Sequence, residues 1–270
     1  MKKKVLAVII AVSMSLAMAA CGNANQAGTQ ESTSETVESV EESTEETESV
    51  VEESSEESTE EAENQDVMTY AEYVAAAVDD PVVIEAYVQA NQSWWDGKIT
   101  VYAQDEDGAY FLYNMACESQ EEADKLVPGT KIRVSGFKAE WSGEIEIADA
   151  TYEIVDGDSF IAQPVDVTEL LGTDELIEKQ NQLVAFKGMT VESEALYKWD
   201  GSGAEGDDLY FNVSVNGNTY TFTVESYLCG ADTEVYKAVK DLKVGDVVDL
   251  EGFLYWYEGV NPHITSVTVK

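Results

Sequence analysis

The sequence predicts a mainly β chain in which two tandem five-stranded barrels, each with a preceding and an internal short helix, follow an acidic tether. Three observations predict it. A glycine-bounded segment recurs at an offset of 116 residues, Gly129 to Gly136-Phe137 and Gly245 to Gly252-Phe253, and Gly143 matches Gly259 at the same offset. Both copies alternate apolar and polar residues, the period of a half-buried strand, with Ile132 and Val134 on one face in the first and Val248 and Leu250 in the second. From residue 66 onward the chain is rich in Val, Tyr, Thr and Ile, with glycines at turn positions, as strands and tight turns require.

The chain opens on Lys2-Lys3-Lys4, an apolar run over residues 5–16, and the small-residue stretch Met18-Ala19-Ala20-Cys21. These are the charged, apolar and cleavage regions of an export signal spanning 1–20. The run is too short for a membrane-spanning helix, which needs about 20 residues. Met18-Ala19-Ala20-Cys21 resembles the lipobox of bacterial lipoproteins, with Met18 where leucine is usual. The resemblance implies a diacylglyceryl group on the Cys21 sulfur and a place on the extracytoplasmic face of the cell membrane, since two acyl chains give stable anchoring. The alternative is an ordinary cut near Ala19 that leaves Cys21 as a free thiol, poorly tolerated outside cells.

Residues 21–65 read as a tether. Between 22 and 65 there are 15 glutamates and no aromatic residue, lysine or arginine. Such a segment buries too little apolar surface to offset chain entropy and is expected to be disordered. Its 44 residues would span ~35–40 Å as a flexible chain, and like-charge repulsion would lengthen it.

Two units follow, 66–157 and 158–270. In the first, strands are expected at 82–89, 98–104, 109–114, the segment around Ile132 and Val134, and 144–148. In the second they are expected at 183–191, 208–215, 219–225, the segment around Val248 and Leu250, and 261–269, with Asn216-Gly217 as a hairpin turn. Helical spacing appears before each unit, at 69–78 and 173–182, and between the third and fourth strands, at 120–127 and 233–242. The leading helices are expected to plug the barrel ends. The order of strand, strand, strand, helix, strand, strand, with Gly-x-x-Val/Ile-x-Val/Leu-x-Gly opening the fourth strand, resembles the OB-fold. The whole chain is similar to clostridial-type lipoproteins with tandem OB-like domains.

With 15 of the 54 acidic residues in the tether and three of the 15 basic ones in the leader, the body holds 39 acids against 12 bases, a net charge of about −27. Arg133 is its only arginine. OB-folds that bind single-stranded nucleic acid do so through a positive groove with stacking aromatics. On overall charge, nucleic acid is therefore an unlikely partner.

Aromatic residues concentrate in two kinds of loop: Trp94 and Trp95 between strands one and two, and Trp141 and Tyr255-Trp256-Tyr257 in the hairpins joining strands four and five. In OB-folds these loops flank the ligand face. The six rings are candidate ligand contacts for a saccharide or a cationic peptide; the competing reading is that they close small barrel cores.

Asp200, Glu205, Asp207 and Asp208 share a glycine-rich loop that could hold a weak extracellular calcium ion, although turn chemistry alone accounts for Asp and Gly there. Asp105-Glu106-Asp107-Gly108 is a shorter loop of the same kind. Cys117 and Cys229 fall in similar positions of the two units, either as a cross-unit pair or as small buried apolar residues. His263 is the only histidine, and no nucleophile motif accompanies it. No enzymatic activity and no cofactor are expected. The sequence thus describes a membrane-anchored, non-catalytic binding module for a saccharide or a basic surface protein. The alternatives are a structural accessory subunit of a membrane-protein complex and, second, single-stranded nucleic-acid binding through the OB-like domains.

Overall fold

The computed structural model describes residues 66–270. The expected leader, the expected lipid-attachment residue Cys21 and the expected tether lie outside the described residues.

Helix α1 (Tyr70–Ala75) precedes β1 (Pro81–Asn91), β2 (Lys98–Gln104), β3 (Ala109–Ala116), α2 (Gln120–Ala123), β4 (Lys131–Trp141) and β5 (Glu144–Ile154). The five strands close in the order β1-β2-β3-β5-β4, with β1 paired along β4. The second unit runs through β6 (Val165–Asp166), two 3-10 turns (Thr168–Leu170 and Asp174–Lys179), β7 (Leu183–Val191), β8 (Leu196–Tyr197), β9 (Leu209–Val215), β10 (Asn218–Val224), α3 (Glu234–Asp241), β11 (Val247–Phe253) and β12 (His263–Val269). Here β7, β11, β12, β10 and β9 form the second closed ring, because β7 also pairs with β9. Both rings contain the same parallel contact, β3 with β5 and β10 with β12, as the OB topology requires. The fold is the expected pair of OB-like barrels.

The recurring glycines have steric causes. Gly129 and Gly245 both take a left-handed φ, +90° and +93°, at the turn into the fourth strand, where a side chain would be strained. Gly136 and Gly252 mark the places where the fourth strand shifts register against the fifth. A Cβ on Gly136 would lie 2.8 Å from the Ala148 carbonyl, and one on Gly252 would lie 2.2 Å from the His263 carbonyl. The strands approach so closely there that only glycine is accommodated.

Each barrel has its own core. Val82, Ile84, Val101, Leu112, Val134 and Ile147 fill the first, while Phe186, Phe211, Phe222, Leu250 and Ile264 dominate the second. Helix α1 plugs the first as expected. Thr69 and Glu72 form a capping box at its start, Tyr73 packs on Tyr110 with centroids 5.0 Å apart, and the Lys138 ammonium donates to the carbonyls of Tyr73, Val74 and Ala76 at its end.

Two helical expectations are corrected. The segment at 173–182 forms no α-helix but a 3-10 turn, because the Thr173 hydroxyl donates backward to the Leu170 carbonyl instead of capping, and Asn181 turns to φ +68°. Leu176 nevertheless enters the second core. The helix at 120–127 shortens to Gln120–Ala123, after which Leu126 drops into the first core from a turn.

A third apolar cluster joins the barrels, which the sequence treats as two separate folding units. Alternation along β2 and β3 sends Val101, Ala103 and Leu112 inward and turns Tyr102 and Phe111 outward, onto Phe253 of the second barrel. Tyr102 stacks on Phe253 at 4.3 Å and 11°. Replacing Gly252 by Ala should lower unfolding stability by about 1–3 kcal/mol through the clash with the His263 backbone, measured by denaturant midpoint.

Candidate binding site

The outer face of β2 and β3 is where OB-folds bind ligands, together with the loops joining strands one to two and four to five. In the first barrel that face is divided. Its upper part, Tyr102 and Phe111, is covered by Phe253, Tyr255, Leu183 and Leu228 of the second barrel. Its lower part stays open as a groove of about 270 Å³.

Trp95, Tyr113 and Tyr227 supply the aromatic walls of this groove, and Gln92, Asn114 and Lys98 are among its polar lining, with Ser93, Ile99 and Thr100 completing it. Trp95 is 74 % exposed and Tyr227 60 %. Tyr227 comes from the second barrel. It is held there because the Ser93 backbone N–H donates to the Tyr227 carbonyl at 2.7 Å. The Glu225 carboxylate braces the same turn, accepting from the backbone N–H groups of Tyr227 and Leu228 at 3.1 and 2.8 Å. None of the described residues lining the groove is acidic, although the body carries 39 acids.

The six aromatic candidates divide. Trp94 is half-buried against the first core and its indole N–H donates to the Cys117 carbonyl at 2.9 Å, so it fastens the loop that exposes Trp95. Tyr255 stacks on His263 at 4.4 Å and meets Phe111 edge-on at 5.3 Å. Trp256 packs on the second core and against Gly143. These three are corrected from ligand contacts to packing residues, since core contacts for Trp94 and Trp256 and aromatic partners for Tyr255 already occupy their faces. Trp141 and Tyr257 are exposed but do not line the groove. The sequence reading missed Tyr113 and Tyr227. Period two along β3 puts Tyr113 on the same outer face as Phe111; no local signal points to Tyr227, whose role depends on the second barrel docking.

The junction between the barrels is also the polar centre of the molecule. His263 is buried with Nδ1 2.7 Å from the Tyr102 hydroxyl oxygen, and burial pushes its pKa down to about 3, so the ring is neutral. Burial likewise pushes the Tyr102 hydroxyl well above its ordinary value, which keeps it protonated and able to donate to a histidine nitrogen. The single histidine thus serves the interface.

The acidic loop does not assemble a cation site. Asp200 accepts from the Ser202 backbone and hydroxyl, Glu205 pairs with Lys240 at 2.9 Å, Asp207 accepts from the Ala204 backbone, and Asp208 accepts from the backbone and hydroxyl of Ser226. With each carboxylate turned to a different partner, no group able to hold a metal ion forms among the described residues. Asp105 caps its own turn by accepting from the Asp107 and Gly108 backbones. Cys117 and Cys229 are both free and buried, and burial pushes the Cys229 thiol up to about 11, which makes it a poor nucleophile.

No protein-family model and no curated protein matches the chain. Similar solved structures include a murine DNA-binding protein bound with double-stranded DNA, at 13 % identity and TM-score 0.36 over 70 % of this chain and 98 % of that one. Others are the Ifi202 HINa domain in complex with 20-base-pair double-stranded DNA (12 %, TM-score 0.34, 72 % and 97 %) and a replication protein A heterotrimer bound to single-stranded DNA (13 %, TM-score 0.30, 71 % and 49 %). Against the expectation that nucleic acid is an unlikely partner stands the finding that these three matches are DNA-bound proteins.

Tyr102→Phe should cost about 1–3 kcal/mol by leaving His263 buried beside a lost hydroxyl, read as a lower urea midpoint at unchanged slope.

Proposed function

We propose that the described body is a non-catalytic binding module that takes a saccharide in the groove formed by Trp95, Tyr113 and Tyr227. The observation that carries this reading is the composition of the groove: three aromatic rings beside amide and hydroxyl groups, uncharged except for Lys98. Aromatic faces cover the apolar faces of sugar rings, and Gln92, Asn114, Ser93 and Thr100 offer donors and acceptors suited to hydroxyls. A basic protein is a weaker candidate at this place, because no carboxylate lines it.

Single-stranded nucleic acid is the second reading. The same rings could stack bases, and Lys98 could meet a phosphate. With one lysine in the groove and an acidic remainder, added salt would screen the repulsion and so hold or strengthen binding instead of weakening it.

The leader residues 1–21 support display on the extracytoplasmic face of the cell membrane through lipidated Cys21, with the Glu-rich segment as spacer. In that setting the groove would meet envelope or environmental polymers.

A glycan array and fluorescein-labelled oligo(dT), both applied to the full-length protein, separate the two ligands. The saccharide reading expects capture of at least one glycan that changes little with salt; oligo(dT) binding with no glycan captured would establish the second reading instead. In either case Trp95→Ala should weaken binding by about tenfold or more, while leaving the thermal midpoint within the error of the measurement. Undiminished binding by that variant would remove the groove from consideration.

A further inference from the structure

Glu144 opens β5 directly after the Ser142-Gly143 turn and has no exposed surface. One oxygen of its carboxyl group, Oε2, accepts from the Trp256 backbone N–H of the second barrel at 2.8 Å and from Gln180 Nε2 of the connecting segment at 3.1 Å. The surrounding contacts run the same way. Gln180 Nε2 also donates to the Gly143 carbonyl, Asn181 Nδ2 donates to the Ile145 carbonyl, and the Glu258 N–H donates to the Ser142 carbonyl at 2.7 Å. The strand-four to strand-five turn of one barrel is thus sewn to the equivalent hairpin of the other, with Glu144 at the middle. Its second oxygen, Oε1, has no partner, and neither do Tyr73 Oη and Asn181 Oδ1.

No group packed around Glu144 supplies a positive charge. Tyr73 faces it from α1, Tyr102 from β2, Glu146 from its own strand and Tyr255 from the second barrel's hairpin. The nearby Lys138 ammonium is engaged by three carbonyls of α1, and His263, bonded to Tyr102, is neutral. An ionised carboxylate here would be buried with neutral hydrogen-bond donors but no opposite charge to offset its desolvation.

We propose that Glu144 is a protonation-controlled clasp between the barrels: with its carboxyl group neutral the two hairpins stay fastened, and its ionisation releases the second barrel's hairpin and loosens the docking that brings Tyr227 to the groove. The effect on binding rests on the groove reading above; the clasp itself does not. Burial pushes Glu144 up to about 8, with Glu146 adding to the rise. A free glutamate titrates near 4.3, so the folded protein holds a proton that the unfolded chain has released between roughly pH 4.3 and 8. The stability contributed by the neutral form is complete below the lower value, falls as pH rises through the window and is gone above about 8.

The test is hydrogen exchange of the full-length protein, corrected for the intrinsic rate, compared with Glu144→Gln at several pH values from 6 to 9. Protection of the hairpin around the Trp256 amide should fall up to about tenfold more in the wild type than in the variant as pH rises from 7 to 9. Glu225, pushed by burial up to about 7 beneath the Tyr227 turn, titrates in both proteins and cancels in the comparison. Identical pH profiles, or a wild-type hairpin whose protection ignores pH, would overturn the clasp. Should the variant fail to fold, carboxyl-carbon NMR of the wild type gives the answer directly: a buried glutamate titrating near 8 supports the proposal, and one already ionised at pH 6 defeats it. Because exchange is read without ligand, failure of the clasp leaves the groove reading standing, and absence of ligand capture leaves the clasp standing.

Discussion

Tyr102 and Phe111 project from the outer face of the first barrel, and so large an aromatic surface must be covered by something. The second barrel covers it. The stacking of Tyr102 on Phe253, the edge contact of Phe111 with Tyr255 and the hydrogen bond from Tyr102 to His263 convert a surface that could face a ligand into an internal seam. Aromatic pairs of this kind add about 0.5–1.5 kcal/mol each beyond the area they bury. The position of Tyr227, the shape of the groove and the burial of Glu144 all follow from this one contact.

The seam also explains how a duplicated barrel can acquire two different roles. The first barrel gives up half of its β2–β3 face to its neighbour and keeps the half beside the loop that bears Trp95. In the second barrel the equivalent strands present Tyr210, Asn212, Ser214 and Thr221 outward, with Thr221 bonded to Asn212. The repeated fold therefore yields a composite groove in which one barrel supplies the floor and the other a side wall.

Much of this was legible in the chain. Period-two patterning and the glycines at the 116-residue offset located all ten barrel strands, because steric demands at Gly136 and Gly252 leave a mark that only glycine satisfies. The short strands β6 and β8, two residues each, have no periodicity to read. The site was legible only in part. Loop position drew attention to Trp94 and Trp95 alike, and could not show that Trp94 is turned inward by its bond to Cys117 while Trp95 stays exposed. Tyr255 and Trp256 were drawn to the hairpin by the seam, which depends on contacts between residues more than 100 positions apart. Charge has the same shortcoming: a total of about −27 does not describe a groove from which carboxylates are locally missing.

If the seam holds the molecule together, the barrels should lose structure together. Pulsed hydrogen exchange with mass spectrometry across a guanidinium titration reads both at once, through peptides from β1 to β5 and from β7 to β12. Coincident midpoints in the two sets of peptides are the predicted result. A concentration at which one barrel has exchanged fully while the other keeps its protection would show that the contact of Tyr102 with Phe253 does not couple them, and the composite groove would lose its physical basis.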